Sequence, residues 1–146
     1  MCLDIASFHF RQFGKLKMQN TLNRILSLLV LLPAILFVVT GLRWLVAPAG
    51  VAPEFGLTLD HGVGLSSQVG DMSAFFLTLG LCMLTALVSS RRSWYYPAIL
   101  LLSITAIGRF IAGLIHDAAL ALDLIAPEVI VAAILLIASR RLPDEN

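Results

Sequence analysis

The feature that most constrains this chain is where its lysines and arginines fall between its apolar runs. Apolar segments at about 22–47, 67–89, 96–116 and 121–139 approach or exceed the roughly 20 residues that a membrane-spanning helix needs. Arg11, Lys15, Lys17 and Arg24 come before or at the start of the first. Arg91 and Arg92 lie between the second and third, and Arg140 and Arg141 follow the fourth. With four spans all of these fall on one side. The opposite connections hold Glu54, Asp60, Asp117 and Asp123 and no lysine or arginine. The positive-inside rule then places both termini in the cytoplasm. Three or five spans would scatter the basic groups. The expected fold is an all-α bundle of four transmembrane helices over residues 21–141, with tails at 1–20 and 142–146.

Composition agrees. The chain is 59% hydrophobic and 13% charged, against about 25% charged in a soluble domain. Its 146 residues allow one domain. A net charge of +1 gives no reason to expect a nucleic-acid partner. Cys2 and Cys82 form no CxxC, which argues against a disulfide framework or a thiol-redox motif.

The tail sets Phe8, Phe10, Phe13 and Leu16 among Arg11, Lys15 and Lys17. Its apolar periodicity is weak, so it reads as a disordered or over-extended tail with Met18 as an alternative start. The rival reading is a basic amphipathic segment on an anionic lipid surface. Asn20-Thr21 reads as a helix N-cap. Pro33 is expected to kink the first span, as membrane helices tolerate. Arg43 and Trp44 read as interfacial anchors, not as a signal-peptide cleavage region. Prolines and glycines argue against a regular element over 48–67. His61 reads there as a solvated histidine, with metal binding as the rival.

In the second span Asp71, Phe75, Thr78 and Cys82 share a face. Gly70, Ala74 and Gly80 would permit close helix approach. Trp94, Tyr95 and Tyr96 read as interfacial aromatics, and Pro97 suits a helix start. The fourth span either begins at Pro127 or gains a turn from 120–126 before a proline kink.

Arg43, Asp71, Arg109 and Glu128 are the charges embedded in spans, all in the outer half. Such groups either pair structurally or mark a working site. One reading is two ion pairs, Arg43 with Asp71 at the outer interface and Arg109 with Glu128 between the third and fourth spans. The other is a polar pocket, open to the outside, for an anionic or quinone-like headgroup. His116 reads as an interfacial histidine beside Asp117 or Asp123, with a ligand or proton-relay role as its rival. No nucleophile elbow, HExxH or phosphate loop is present, so an enzyme is not the expected reading, and no cofactor follows from the residues.

The entry SQVGDMSAFF to the second span, IGRFIAGLIHD in the third and PEVIVAAILL in the fourth resemble the small bacterial DoxX-like membrane proteins, above all their domain-of-unknown-function relatives. A Gly-Arg in the third span and a Glu opening the fourth recur in that group; here they are Gly108-Arg109 and Glu128. Where many relatives have an arginine and a glycine pair, this chain has Gln68-Val69-Gly70-Asp71. The resemblance implies a four-helix bundle in the bacterial inner membrane. It also implies an accessory role in a redox or stress-related complex, since some members serve quinone- or sulfur-linked oxidoreductases. Rival classes are an oligomeric carrier or channel for an anionic solute and a quinone-binding enzyme subunit. The expected partners are the lipid bilayer and a membrane protein or further copies of the chain.

The topology predicts that a single cysteine at Ser66 is labelled by an impermeant thiol reagent from outside. Cysteines at Ser90 or Asn146 should be labelled only from inside. Outside labelling at Ser90 would exclude four spans.

Overall fold

The computed structural model describes the backbone of residues 2–142 and the side chains of residues 19–142. Every regular element among them is helical. Helix α1 runs Cys2–Val46, the short α2 Pro48–Val51, α3 Val63–Ser89, α4 Tyr95–Ile115 and α5 Leu122–Arg141. Turns of 3-10 helix follow α2 at Ala52–Phe55 and precede α4 at Arg92–Trp94. Four helical stretches are long and apolar enough to cross a bilayer: Gln19–Val46, Val63–Ser89, Arg92–Ile115 and Leu122–Arg141.

Boundaries differ from the sequence reading in two places. Helix α1 is continuous from Cys2, so Asn20 and Thr21 lie inside it and do not cap it, and it runs unbroken through Pro33. The readings of the side chains at 1–18 lie outside the described residues. Helix α3 begins at Val63, a turn earlier than expected. Gly62 precedes it with φ +57° and ψ −123°, a conformation open almost only to glycine. Helix α5, by contrast, follows one of the two expected alternatives: it starts at Leu122, gaining a turn before the proline, and carries Pro127 internally. The proline removes one backbone donor, the one that would reach the Asp123 carbonyl.

The spanning helices pack α1 on α3, α3 on α4, α4 on α5 and α5 back on α1, an up-and-down bundle. Arg24, Arg91, Arg92, Arg140 and Arg141 lie at one end of it, and the connections 47–62 and 116–121 close the other. These are called here the basic and acidic ends. All four helices share one core toward the basic end. There Val30 and Ala34 of α1 meet Leu79 and Met83 of α3, Tyr95 and Leu102 of α4, and Leu135 and Ala138 of α5.

The tightest contact is the crossing of α1 and α3. A Cβ on Gly80 would stand 2.7 Å from the Ala34 carbonyl oxygen and 2.8 Å from the Val38 nitrogen. One on Gly41 would stand 2.9 Å from the Leu77 nitrogen. These approaches are to backbone, which cannot rotate away. Small residues allow such crossings, and in lipid the close packing they permit drives helix association. Of the three small residues expected to serve this purpose, Gly80 does. Gly70 has open space beside it and Ala74 is exposed. Gly41 was not anticipated. The buried residues of α3 are Ser73, Phe76, Leu79, Gly80, Cys82, Met83 and Ala86; of the expected face Cys82 is buried and Phe75 half-buried, while Asp71 and Thr78 are exposed.

At the acidic end a second cluster joins Trp44 of α1 and Phe76 of α3 to Val51 and Ala52 of the connection. Phe55 stacks at a tilt on both aromatics, its centroid 6.3 Å from Trp44 and 5.0 Å from Phe76. Trp44 is therefore wholly buried under the folded-back connection and is not an interfacial anchor. Tyr95 is likewise buried, while Trp94 and Tyr96 are exposed. The Arg92 guanidinium lies 5.7 Å from the Tyr96 ring centroid.

Gly80→Ala is expected to cost about 1–3 kcal/mol by forcing the α1 and α3 backbones apart. Gly70→Ala should be neutral or stabilising by up to about 1 kcal/mol, since a helix gains from losing an unconstrained glycine. Thermal unfolding in detergent checks the contrast; equal effects would contradict the crossing.

Candidate functional site

Helices α4 and α5 carry the polar centre. The buried residues of α4 are Tyr95, Ala98, Leu102 and Ala106. Their three-and-four spacing continues to Arg109. The buried residues of α5 include Leu135 and Ala138, and the same spacing runs back through Val131 to Glu128. Both charges thus extend the core-facing stripes of their helices toward the acidic end. Arg109 is six residues from the end of α4 and Glu128 six from the start of α5. That puts each about 9 Å inside the helix end at the helical rise.

The two meet. Arg109 Nε donates to Glu128 Oε1 at 3.0 Å, and the side chains keep 30% and 13% of their accessible surface. The pair is incomplete on both sides. Glu128 Oε2 is buried with no hydrogen-bond partner. Arg109 uses Nε alone, so its two terminal nitrogens, with four N–H groups between them, have no protein acceptor among the described residues. A fork-to-fork arrangement would have used both oxygens. Glu128 lies in the second turn of α5, because the helix begins at Leu122. The helix dipole, felt in the first turn, therefore does not supply the stabilisation that a start at Pro127 would have given.

Around the pair the hairpin is loosely covered. No residue of α4 beyond Ala106 and none of α5 before Leu135 is fully buried. Ile107, Phe110 and Ile111 on α4 and Val129 and Ile130 on α5 are exposed. The connection folds back at Gly113, where a Cβ would stand 2.9 Å from Leu120 Cδ1.

Arg43 does not pair with Asp71. It makes a two-pronged bond to Glu54, Nη1 to Oε2 at 3.0 Å and Nη2 to Oε1 at 2.6 Å, and Nη2 also donates to the Gly50 carbonyl at 3.3 Å. The connection after α1 curls back through α2 and the 3-10 turn, so Glu54 reaches Arg43 first. Asp71 faces outward and has no partner among the described residues. The sequence reading passed over Glu54 as a loop acid and Gln68 as a helix-entry residue. Gln68 Nε2 donates to the Thr58 carbonyl at 3.0 Å and Oε1 accepts from the Asp60 N–H at 2.9 Å, pinning the connection to α3. The only signal for either was a polar side chain beside prolines and glycines.

His116 is exposed at the end of α4 and makes no side-chain bond to Asp117 or Asp123 among the described residues. The structure thus brings together two of the five candidate residues, Arg109 and Glu128, and leaves Arg43, Asp71 and His116 apart from them. Among the described residues no three His, Cys, Asp or Glu side chains gather as a metal ion would require.

The geometry defines a multi-pass helical membrane protein with an under-used ion pair in the half of the bundle toward its acidic end. No family model matches the chain, and no curated protein and no solved structure matches it either.

The Arg43 bond holds the Glu54 carboxyl below its ordinary range. A carboxyl depressed in the folded state contributes stability in full above its unfolded value and loses it as pH falls through the folded value. Hydrogen exchange normalised for pH should therefore show 47–57 losing protection on acidification, while the α1–α3 crossing keeps its own. In Glu54→Gln the same segment should already be less protected at neutral pH, with no further loss on acidification through the range where Glu54 titrates. Unchanged protection in that variant would contradict a clamp.

Proposed function

We propose that this chain is an accessory subunit of a membrane redox system, of the DoxX-like kind, in the bacterial inner membrane with both termini in the cytoplasm. In this reading the Arg109–Glu128 pair receives the headgroup of a membrane-soluble quinone. The supporting observation is the half-satisfied pair itself, with free guanidinium N–H donors on one side and an orphaned carboxylate oxygen on the other. A quinone carbonyl accepts from the first, and a quinol hydroxyl donates to the second. Burial makes the vacancy at Glu128 Oε2 costly, since an unmade bond to a buried group costs about 1–3 kcal/mol. The loosely covered hairpin gives a lipid-soluble ring a route between the helices. A carrier for anions is less well served, because Glu128 already neutralises the arginine that would attract them.

The chain, purified from its native membrane in mild detergent, is expected to retain quinone near one per chain and to co-purify with a membrane partner. Glu128→Gln, which keeps the side-chain shape, should lose the quinone and keep the fold. A lone species without quinone, or quinone retained equally by Glu128→Gln, would overturn the reading.

A further inference from the structure

The basic end carries a second arrangement that the quinone reading does not use. A groove of about 760 Å³ runs between the start of the first span and the end of α3, lined by Asn20, Asn23, Arg24, Leu28, Leu31 and Leu87 among others. Its polarity is graded along the helix axis. Asn20, Asn23 and Arg24 form the mouth. Leu28 and Leu31 lie one and two turns deeper on α1, about 6 and 10 Å below Arg24 at the helical rise, and face Leu87 and Val88 of α3. Arg24 is exposed and has no hydrogen-bond or ion-pair partner among the described residues. Ser27 is not free to help, because its hydroxyl donates to the Asn23 carbonyl at 2.9 Å.

We infer that this groove is a binding site for one anionic phospholipid, its phosphodiester held at Arg24, Asn20 and Asn23 and an acyl chain lying on Leu28, Leu31 and Leu87. The order of groups along the groove, cation and amide donors above and leucines below, is that of such a lipid entering from the leaflet at the basic end. Arginine and amide N–H groups suit phosphate oxygens. Charge decides between lipid classes. Among the described residues at this end, segments 19–31, 84–99 and 135–142 contain no Asp or Glu. Among the described residues a zwitterionic headgroup's ammonium therefore finds Arg24 beside it in the groove and no carboxylate. A second cavity of about 430 Å³, lined by Gln19, Asn20, Leu22, Asn23 and Arg141, reaches the same two asparagines. It adds another arginine beside the headgroup position and, among its described lining residues, no carboxylate.

The full chain in detergent is titrated with phosphatidylglycerol and with phosphatidylcholine of the same acyl chains, and bound lipid is counted by native mass spectrometry. Phosphatidylglycerol should bind about tenfold more tightly, the worth of one charge-assisted contact. Arg24→Gln should abolish that preference and Arg24→Lys should keep most of it. Arg92→Gln, which removes a charge at the same end outside the groove, should leave it intact. Equal binding of the two lipids would overturn the site. So would equal losses in Arg24→Gln and Arg92→Gln, since the preference would then be diffuse attraction. Glycerol phosphate competing as well as the lipid would assign the groove to a soluble phosphate instead. Melting temperatures of the three variants, expected to match the parent without lipid, keep misfolding from imitating the result.

Discussion

The backbone crossing at Gly41 and Gly80 is the contact on which the rest of this bundle is built. In lipid, helices gain little from leaving an apolar solvent for an apolar neighbour, so close packing has to hold them together. A Gly80 Cβ would sit within 3 Å of both Ala34 and Val38 backbone atoms, so α1 and α3 lie as near as their main chains permit. The aromatic cap depends on that approach, because Trp44 and Phe76 share Phe55 only if their helices stay close. Arg43 then ties the cap down through Glu54. The paired helices give the α4–α5 hairpin a surface to dock on at the basic end.

The hairpin is held differently at its two ends. Toward the basic end Leu102 and Leu135 are locked in the shared core. Toward the acidic end its stripes turn polar at Arg109 and Glu128, where apolar packing would have continued. Removing one partner from such a pair costs about 3–5 kcal/mol, while the intact pair need not stabilise on balance. Its evident effect is on register: it fixes how α4 and α5 slide past one another and sets two unmet hydrogen-bonding groups between them.

The four spans were legible because they rest on long-range bookkeeping of apolar length and basic connections, which local detail does not disturb. The Arg109–Glu128 pair was legible for a related reason. A short connection makes α4 and α5 antiparallel neighbours, and counting residues puts both charges at one depth. The Arg43–Asp71 pair failed because setting both charges at the same interface leaves azimuth open: Asp71 lies off the buried face of α3, and a folded connection brought Glu54 closer. The folded connection itself was hidden because prolines and glycines read as irregular chain, whereas Pro48 here opens a short helix and Gly56, at φ +68°, closes the turn after it. Trp44 misled in the same way, since burial under that connection cannot be seen from a tryptophan at the end of an apolar run.

The central claim is that Arg109 and Glu128 act on each other inside the bundle. A double-mutant cycle tests it most directly, with unfolding in detergent measured for Arg109→Ala, Glu128→Ala and both together. The account predicts a coupling of about 1–3 kcal/mol, with the double variant losing clearly less than the two single losses combined. Losses that simply add would contradict it.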